Sequence, residues 1–300
     1  VSSTRLFEAI AAETQVQIQK LNAKDLANTS WAFATARVSS TRLFEAIAAE
    51  TQVQIQKFNA QDLANTSWAF ATAVVSSTRL FEAIAAEAQV QIRKFNAQNL
   101  ANTSWAFATA GIASTQLFEA IAAEAEAQIR TFNSQDLVNT SWAFATAGIS
   151  SARFFEAVLA RISDIFSELS PLGLCQLYQV HLFLTLEAPE LGLASLLSGF
   201  EVELKAAFTA AEPSPSRTQQ DVAAALERVG GRHEFEHVTA EGLSLYMAQP
   251  ESKLAVEFDG PSHYLVDATC IPFLNGAFLF KQRLLRKIGW KVVHVPYFEW

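Results

Sequence analysis

The whole chain has only two cysteines and one methionine, and its first 150 residues contain no proline. Two isolated cysteines, Cys175 and Cys270, are too few for a disulfide framework or a zinc cluster, so we interpret both as structural thiols in a reducing compartment. No apolar run reaches the roughly 18 residues that a membrane-spanning helix needs. We therefore expect a soluble protein with no membrane partner. The absence of proline from half the chain favours uninterrupted helices there.

That proline-free half contains one unit copied four times. The string NTSWAFATA recurs every thirty-seven residues, with its tryptophan at Trp31, Trp68, Trp105 and Trp142. Apolar residues recur at helical spacing in two segments of each copy, and Gly111 and Gly148 stand where helices are expected to end. A helix pair of this size buries its apolar surface only by stacking on its neighbours. The pattern predicts an α-solenoid of helix-pair repeats, an architecture typical of binding proteins.

The second helix of each unit carries short polar side chains beside its apolar residues. In the second copy we interpret Trp68 and its small neighbours as buried, and Asp62 and Thr66 as presented outward. Such side chains suit the reading of unpaired bases, as in helical-repeat RNA binders. The candidates are Asp25, Asn28, Thr29, Asp62, Asn65, Thr66, Asn99, Asn102, Thr103, Asp136, Asn139 and Thr140. The alternative is that they are solvated polar residues that form hydrogen bonds between repeats.

Charge gives two opposing indications. The net charge of −8 disfavours a nucleic-acid partner, because neutralising phosphates supplies most non-specific affinity. Near the C-terminus, however, a predicted helix and the residues after it carry five basic side chains and no acid. They are Lys281, Arg283, Arg286, Lys287 and Lys291. We interpret this local positive field as a phosphate-contacting surface, the alternative being an ordinary solvated helix face.

Changes in composition divide the chain into four parts. The array covers 1–168, a divergent helical cap 169–211, a linker rich in proline and serine 212–217, and a mixed unit 218–300. His181 in the cap is interpreted as a core residue, not as a metal ligand. In the mixed unit, a helix ends before Gly230 and another runs from Asn275 to the glycine at 289. Four strands are predicted, at 232–238, 243–248, 254–258 and 290–295. The order αβββαβ predicts that the last strand pairs in parallel through a right-handed crossover.

The C-terminal residues resemble a known family. The motifs LAVEFDGPSHY at 254–264 and FKQRLLRKIGWKVVHVPYFEW at 280–300 closely resemble the RAP domain, an RNA-associated module found at the C-termini of organellar proteins. The array is similar to the octotricopeptide and heptatricopeptide helical repeats to which RAP domains are commonly attached. The resemblance implies that the partner is single-stranded RNA, an organellar transcript or ribosomal RNA, together with other RNA-processing proteins. It also implies a mitochondrial or chloroplast location. Because the chain begins at Val1 within a repeat, we expect any targeting segment and further repeats to lie upstream.

The RAP resemblance also implies a restriction-endonuclease-like core, shared with the PD-(D/E)xK nucleases. Those enzymes hold a divalent metal with one acid on an early strand and an acid-x-Lys on the next. Here the second motif is Glu257-Phe258-Asp259, with a carboxylate where the lysine would stand, and the early-strand position falls near Tyr246. We therefore predict no catalysis and no cofactor. If the domain does cleave RNA, Glu257 and Asp259 would hold Mg²⁺. The alternative is that Asp259 ends its strand in a turn by bonding backbone amides.

Aromatic side chains near the end of the chain could stack on bases beside the basic helix. We expect His263 and Tyr264, just past a turn, to be reachable from solvent and to contact RNA. Trp290 and Phe298 are expected in the core. Three functions are consistent with the sequence: a single-stranded RNA-binding protein in organellar RNA processing, stability or ribosomal RNA maturation, a Mg²⁺-dependent endonuclease, and a protein-binding scaffold.

Overall fold

The computed structural model describes residues 2–38, 40–75, 77–210, 215–266 and 272–300. Helix pairs stack through the first two thirds of the chain and a small α/β domain follows, which confirms the predicted fold class. Cys270 and residues 212–214 of the predicted linker lie outside the described residues. In the described ranges, no helix is long and apolar enough to cross a bilayer.

Each repeat consists of a first helix, a short 3-10 turn and a second helix. The first helices are α1 (Ser2–Gln17), α3 (Thr41–Gln54), α5 (Thr78–Gln91), α7 (Thr115–Gln128) and α9 (Ala152–Asp164). The second helices are α2 (Ala23–Thr35), α4 (Ala60–Thr72), α6 (Ala97–Thr109), α8 (Ser134–Ala147) and α10 (Pro171–Leu186). The second helices pack side by side in chain order and form one continuous layer. A short helix, α11 (Glu201–Thr209), then packs on α10.

A reciprocal hydrogen-bonded cap starts each second helix of the four sequence repeats. In α4 the Asn59 side chain accepts from the backbone N–H of Asp62, and the Asp62 carboxylate accepts from the backbone N–H of Asn59. The same pairing starts α2, α6 and α8. Such a cap satisfies backbone donors that the helix itself leaves unpaired. The aspartate of Asn-x-x-Asp, replaced by Asn99 in α6, is therefore the second half of a helix cap, a role that the base-contact interpretation did not give it.

Pairs of phenylalanines form the core inside each repeat, and a row of glutamines connects neighbouring repeats. Phe44 and Phe70 meet edge to face with ring centroids 5.0 Å apart, and equivalent pairs recur in the other copies. The Gln91 side chain donates to the backbone oxygen of Phe58 in the preceding repeat at 2.8 Å, and Gln54 and Gln128 make the same contact one repeat earlier and later. The apolar core sets how repeats stack, and the amide contacts set their register.

The helix ends of the array include two strained positions. Gly111 and Gly148 follow α6 and α8 with φ of 68° and 71°, as the sequence predicts, but Arg37 after α2 and Val74 after α4 hold the same place with φ of 53° and 61°. A β-branched residue is costly in this conformation. We expect Val74→Gly to raise the free energy of unfolding by about 1 kcal/mol, measured by urea denaturation. The reverse change, Gly111→Val, should lower it by a similar amount. Equal stabilities across all three proteins would contradict the strain.

In its described residues, the C-terminal domain contains two α-helices, a four-stranded sheet and a two-stranded hairpin. Its elements are α12 (Arg217–Arg228), β1 (Glu234–Val238), β2 (Ser244–Gln249), β3 (Leu254–Asp259), β4 (Tyr264–Val266), β5 (Pro272–Leu274), α13 (Gly276–Lys287) and β6 (Lys291–Pro296). The sheet order is β1-β2-β3-β6, with antiparallel pairing except between β3 and β6, which are parallel as predicted. The hairpin of β4 and β5 was not predicted, because strands of three residues are too short to show a period.

The α/β domain rests on the C-terminal ends of three successive second helices. The backbone N–H of Val266 donates to the Val74 carbonyl after α4 at 3.2 Å. At the end of α6, a Cβ on Gly276 would lie 1.7 Å from the Ala108 carbonyl oxygen, so only glycine permits this approach. At the end of α8, the Arg283 guanidinium donates to the carbonyls of Ala145 and Thr146 at 2.8 Å. A cation at a helix C-terminus is electrostatically favourable. The array and the domain therefore form one body.

Candidate nucleic-acid interface

One face of each second helix remains in contact with solvent. In α4 it consists of Gln61, Asn65, Trp68 and Thr72, whose spacing of four, three and four residues places them in one row along the helix. Gln61 is exposed and the other three are half-buried. Because the second helices lie side by side, rows on neighbouring helices join. We call the joined surface the tryptophan stripe and define it by Asn28, Trp31, Gln61, Asn65, Trp68, Gln98, Asn102, Trp105, Gln135 and Asn139.

The tryptophans of the stripe are more accessible than the sequence indicated. Trp31 is 46 % exposed, while Trp68 and Trp105 are half-buried with one side against the core. The prediction that Trp68 belongs to the buried stripe is therefore only partly right. Trp142, at the far end, is 6 % exposed and donates through Nε1 to the Gln179 amide oxygen at 2.9 Å. The indole rings thus form a row at the interval of the repeat.

Amide side chains lie beside the rings and bond to one another. Gln61 donates to the Asn65 oxygen at 2.8 Å, and Gln135 donates to Asn139 in the same way at 2.7 Å. Between helices, Gln176 of α10 donates to Asn139 at 3.3 Å. A carboxamide offers both donors and an acceptor, which is what the edges of unpaired bases require of a partner. The sequence interpretation included the asparagines of this row but missed the glutamines, whose repeated four-residue offset from asparagine was the available signal.

Several predicted base-contacting residues are not accessible. The prediction that Asp62 and Thr66 face outward is wrong, since Thr66 is fully buried between second helices and Asp62 caps α4. The same correction applies to Asn99, Thr103, Asp136 and Thr140, all of which are buried. Neighbouring helices cover both flanks of each second helix, so only a narrow row stays open. Asp25 and Thr29 keep more exposure, because among the described residues α2 has a second-helix neighbour on one side alone. Asn28, Asn65, Asn102 and Asn139 remain on the surface.

Two of the predicted phosphate-contacting cations are engaged inside the protein. Lys281 donates to the buried carboxylate of Glu257 at 2.8 Å. Arg283 forms a two-pronged pair with Glu187, in addition to its bonds to the end of α8. A buried carboxylate requires such a partner, because an unpaired buried charge is strongly destabilising. Arg286 and Lys287 are exposed on α13, and Lys291 is exposed at the start of β6. The basic surface of the domain is thus smaller than the sequence suggested.

The two carboxylates of β3 are also occupied by the protein. Glu257 is 1 % exposed and accepts from the backbone N–H of Tyr246 as well as from Lys281. Asp259 is fully buried, and its Oδ2 lies 2.9 Å from His294 Nδ1 and accepts from the Tyr264 hydroxyl at 3.3 Å. These bonds replace the backbone amides that the turn interpretation assigned to Asp259. In the described part of the chain, no group of three or more His, Cys, Asp or Glu is arranged to hold a metal. The donor set does not fit Mg²⁺.

A further carboxylate near this pair was not predicted. Glu236 lies on β1 with φ of 57°, a strained conformation for a residue other than glycine. Burial, with a smaller contribution from the charge of Glu257, raises the pKa of Glu236. Backbone strain of this kind leaves no mark in the sequence.

The aromatic residues around Asp259 differ from expectation. Tyr264 is buried, contrary to the prediction, because it begins β4 and packs edge to face on Tyr297 and Phe298. Burial and the charge of Asp259 raise the pKa of Tyr264 to about 12. His263 is half-buried and stacks on Phe278. Trp290 is in the core as predicted, whereas Phe298 is 50 % exposed and the core assignment is wrong.

The charge on Asp259 is maintained by its histidine neighbours. Burial alone would raise the pKa of Asp259, but hydrogen bonding by His263 and His294, together with the electrostatic attraction of both rings, outweighs it and lowers the pKa below its usual value. His263 Nδ1 lies 3.7 Å from Oδ1, and His294 Nδ1 lies closer, 2.9 Å from Oδ2. A carboxylate with a lowered folded-state pKa stabilises the protein above its unfolded value near 3.9, and that contribution is lost as the pH falls through the folded-state pKa.

We expect Asp259→Asn to lower the free energy of unfolding by about 1–3 kcal/mol at pH 7. The amide removes the charge while keeping the shape, so the difference from the native protein should shrink as the pH is lowered from 5 toward 3. Urea denaturation followed by far-ultraviolet circular dichroism measures both quantities. Asp221→Asn, an exposed change on α12, should have no effect at either pH. A loss that does not depend on pH would show that packing and not charge is responsible.

Two family models match the chain. Residues 1–178 match the model described as RNA-editing substrate-binding complex 6 protein, RESC6. Residues 256–300 match the RAP domain, which agrees with the resemblance found in the sequence. No curated protein matches the chain. The first model covers the array through the beginning of α10, and the second covers β3 to the end of the chain.

Proposed function

We propose that this chain, which belongs to the family of RNA-editing substrate-binding complex 6 proteins and ends in a RAP domain, binds single-stranded RNA along the tryptophan stripe. The observation that carries the proposal is the row of accessible indole rings flanked by amides, repeated on adjacent helices. Stacking of a base on an aromatic ring contributes about 1–3 kcal/mol and tolerates any base. The amides add hydrogen bonds to base edges.

The RAP domain continues the binding surface in this proposal. Arg286 and Lys287 are exposed and suited to contact the RNA backbone. The domain is fixed to the array through Arg283 and Gly276, so a strand lying on the stripe meets the domain at a defined position. Because the net charge is −8, stacking has to supply more of the affinity than counterion release. We therefore expect the affinity to fall only gently as salt is raised.

The biological role that fits this binding is RNA processing, with the protein holding a transcript for other components of an editing or maturation complex. The proposal includes the mitochondrion or chloroplast as the location, on the resemblance to organellar RAP proteins. Its substrates would be organellar transcripts or ribosomal RNA. The protein itself carries no chemistry in this proposal, because the carboxylates of β3 are paired with Lys281 and His294.

Selection from a randomised single-stranded RNA pool tests the proposal. The protein is incubated with the pool in EDTA and again in Mg²⁺, and both retained and cleaved species are sequenced. We expect retention in both conditions, enrichment of a short and nearly uniform motif, and no cleavage. Cleavage in Mg²⁺ that is lost in Glu257→Gln would favour the nuclease alternative. No retention at low salt would favour the protein scaffold, and the proposed function would then be wrong.

A further inference from the structure

A cavity of about 410 Å³ lies where the array meets the α/β domain. From the array side it is lined by Gln179 of α10 and Phe208 of α11. From the domain side it is lined by Leu243, Phe280 and Lys281. Its size falls in the range of about 300–1,000 Å³ in which proteins hold small organic ligands, and such sites favour junctions between domains.

The cavity lies at the end of the tryptophan stripe. Gln179 holds the place on α10 that Trp142 holds on α8, thirty-seven residues earlier, and it accepts the hydrogen bond from the Trp142 indole. One turn before Gln179, Gln176 donates to Asn139 of the stripe. The row of side chains on the second helices therefore leads to the cavity wall. A strand that follows the stripe toward the C-terminus reaches the cavity next.

The lining suits a nucleobase better than a phosphate. Phe208, Leu243 and Phe280 give apolar walls, which favour a flat aromatic ring that leaves water. The positive charge of Lys281 is already balanced by Glu257 at 2.8 Å, and Arg283 on the same helix is paired with Glu187. Both Lys281 and Arg283 are thus already paired with carboxylates, which makes them poor binding groups for a phosphate. The Lys281 ammonium still has further N–H donors beyond the one bound to Glu257. Together with the Gln179 amide it offers hydrogen bonds to a base edge.

We propose that this cavity holds one unpaired nucleobase of the RNA strand, at the point where the strand passes from the array to the RAP domain. The inference rests on the proposed function, since the strand has to lie on the stripe first. Enclosure between an apolar wall and a few polar groups is the arrangement by which proteins hold bases taken out of a stack. The stripe then gives affinity along the strand, and the cavity fixes which nucleotide sits at the junction.

Filling the cavity from its rim tests the inference. Ala277 and Ser244 are exposed residues on α13 and β2 that line the cavity, so Ala277→Phe and Ser244→Phe occupy its space without changing the core. The probes are 12-nucleotide oligo(U) and oligo(A), each also made with one abasic residue moved through every position. In the native protein, we expect an abasic residue at one position near one end of the strand to weaken binding about 5- to 150-fold.

Each phenylalanine variant should bind the intact oligonucleotide as weakly as the native protein binds the oligonucleotide that is abasic at that position. In the variants, removing this base should cause no further loss of affinity. Abasic residues at other positions should keep their effects, because the stripe is unchanged. Ala224→Phe, an exposed alanine on α12 away from the cavity, should bind as the native protein does. Persistence of the position-specific abasic effect in both variants would overturn the inference while leaving the proposed function standing. If the native protein bound neither oligonucleotide, the proposed function would fail, and the inference with it.

Discussion

Changing Trp68 and Trp105 to leucine in one protein is expected to weaken the binding of single-stranded RNA by about 30-fold or more. Each indole ring lost removes about 1–3 kcal/mol of stacking, so two rings together account for at least this factor. Leucine is chosen because both tryptophans also contact the apolar core, and an aliphatic side chain preserves much of that packing while offering no aromatic face. Fluorescence anisotropy with an end-labelled 12-nucleotide RNA measures the change.

Two matched variants control for other causes of lost binding. Phenylalanine at the same two positions keeps an aromatic face and should bind within a few-fold of the native protein. Val53→Ala with Val90→Ala removes exposed apolar side chains from first helices α3 and α5, away from the stripe, and should leave the affinity unchanged. A leucine pair that binds like the native protein would show that RNA, if bound, lies elsewhere. An equal loss in the valine pair would show that the effect is not specific to the stripe.

Changing Arg283 to alanine is expected to lower the free energy of unfolding by about 3–5 kcal/mol. The change leaves the Glu187 carboxylate, whose side chain is only 10 % exposed, without its cation. It also leaves two carbonyls at the end of α8 without their donor. We expect the α/β domain to loosen from the array before the array itself unfolds. Urea denaturation measures the stability, and hydrogen exchange in the last turn of α8 and in α13 measures the loosening.

The neighbouring Arg286 provides the control for this prediction. It lies on the same helix but is exposed, so Arg286→Ala should change the stability by no more than about 0.5 kcal/mol. Arg283→Lys should not rescue the docking, because a single ammonium cannot serve a carboxylate and two carbonyls with the fixed geometry of a guanidinium. A lysine variant as stable as the native protein would show that charge alone holds the domain.

Much of the fold could be predicted from the sequence, because four copies of one repeat show the same pattern of helices. The thirty-seven-residue interval gives the helix pairs, and the glycines after α6 and α8 mark the helix ends. In the α/β domain, the order of the two helices and the four strands of the larger sheet was also predictable, as was the parallel pairing of the last strand, whereas the hairpin of β4 and β5 was not. The predicted boundaries between the cap, linker and C-terminal unit stay predictions. The start of α12 is capped by Ser216, whose side chain accepts from the backbone N–H of Gln219.

The candidate site was less predictable, for reasons of packing. Helical spacing shows which residues share a face, but it does not show how much of that face two flanking helices will cover. Thr66 is therefore buried where exposure was predicted, and Trp68 is only half-buried where burial was predicted. A cluster of basic residues in the sequence likewise does not show which of them will form an ion pair with an acidic residue far away in the chain. Lys281 is paired with an acid 24 residues away and Arg283 with one 96 residues away. Such pairings become visible only when the chain is folded.

The docking of the α/β domain on the ends of α4, α6 and α8 is expected to make these repeats stiffer than they would be alone. A solenoid is elastic, because each repeat contacts only its neighbours. Over these three repeats we expect the domain to limit stretching and twisting of the array, and none of the three contacts described above involves α2. If RNA lies on the tryptophan stripe as proposed, it would therefore rest on a stiffer surface over α4, α6 and α8 than over α2.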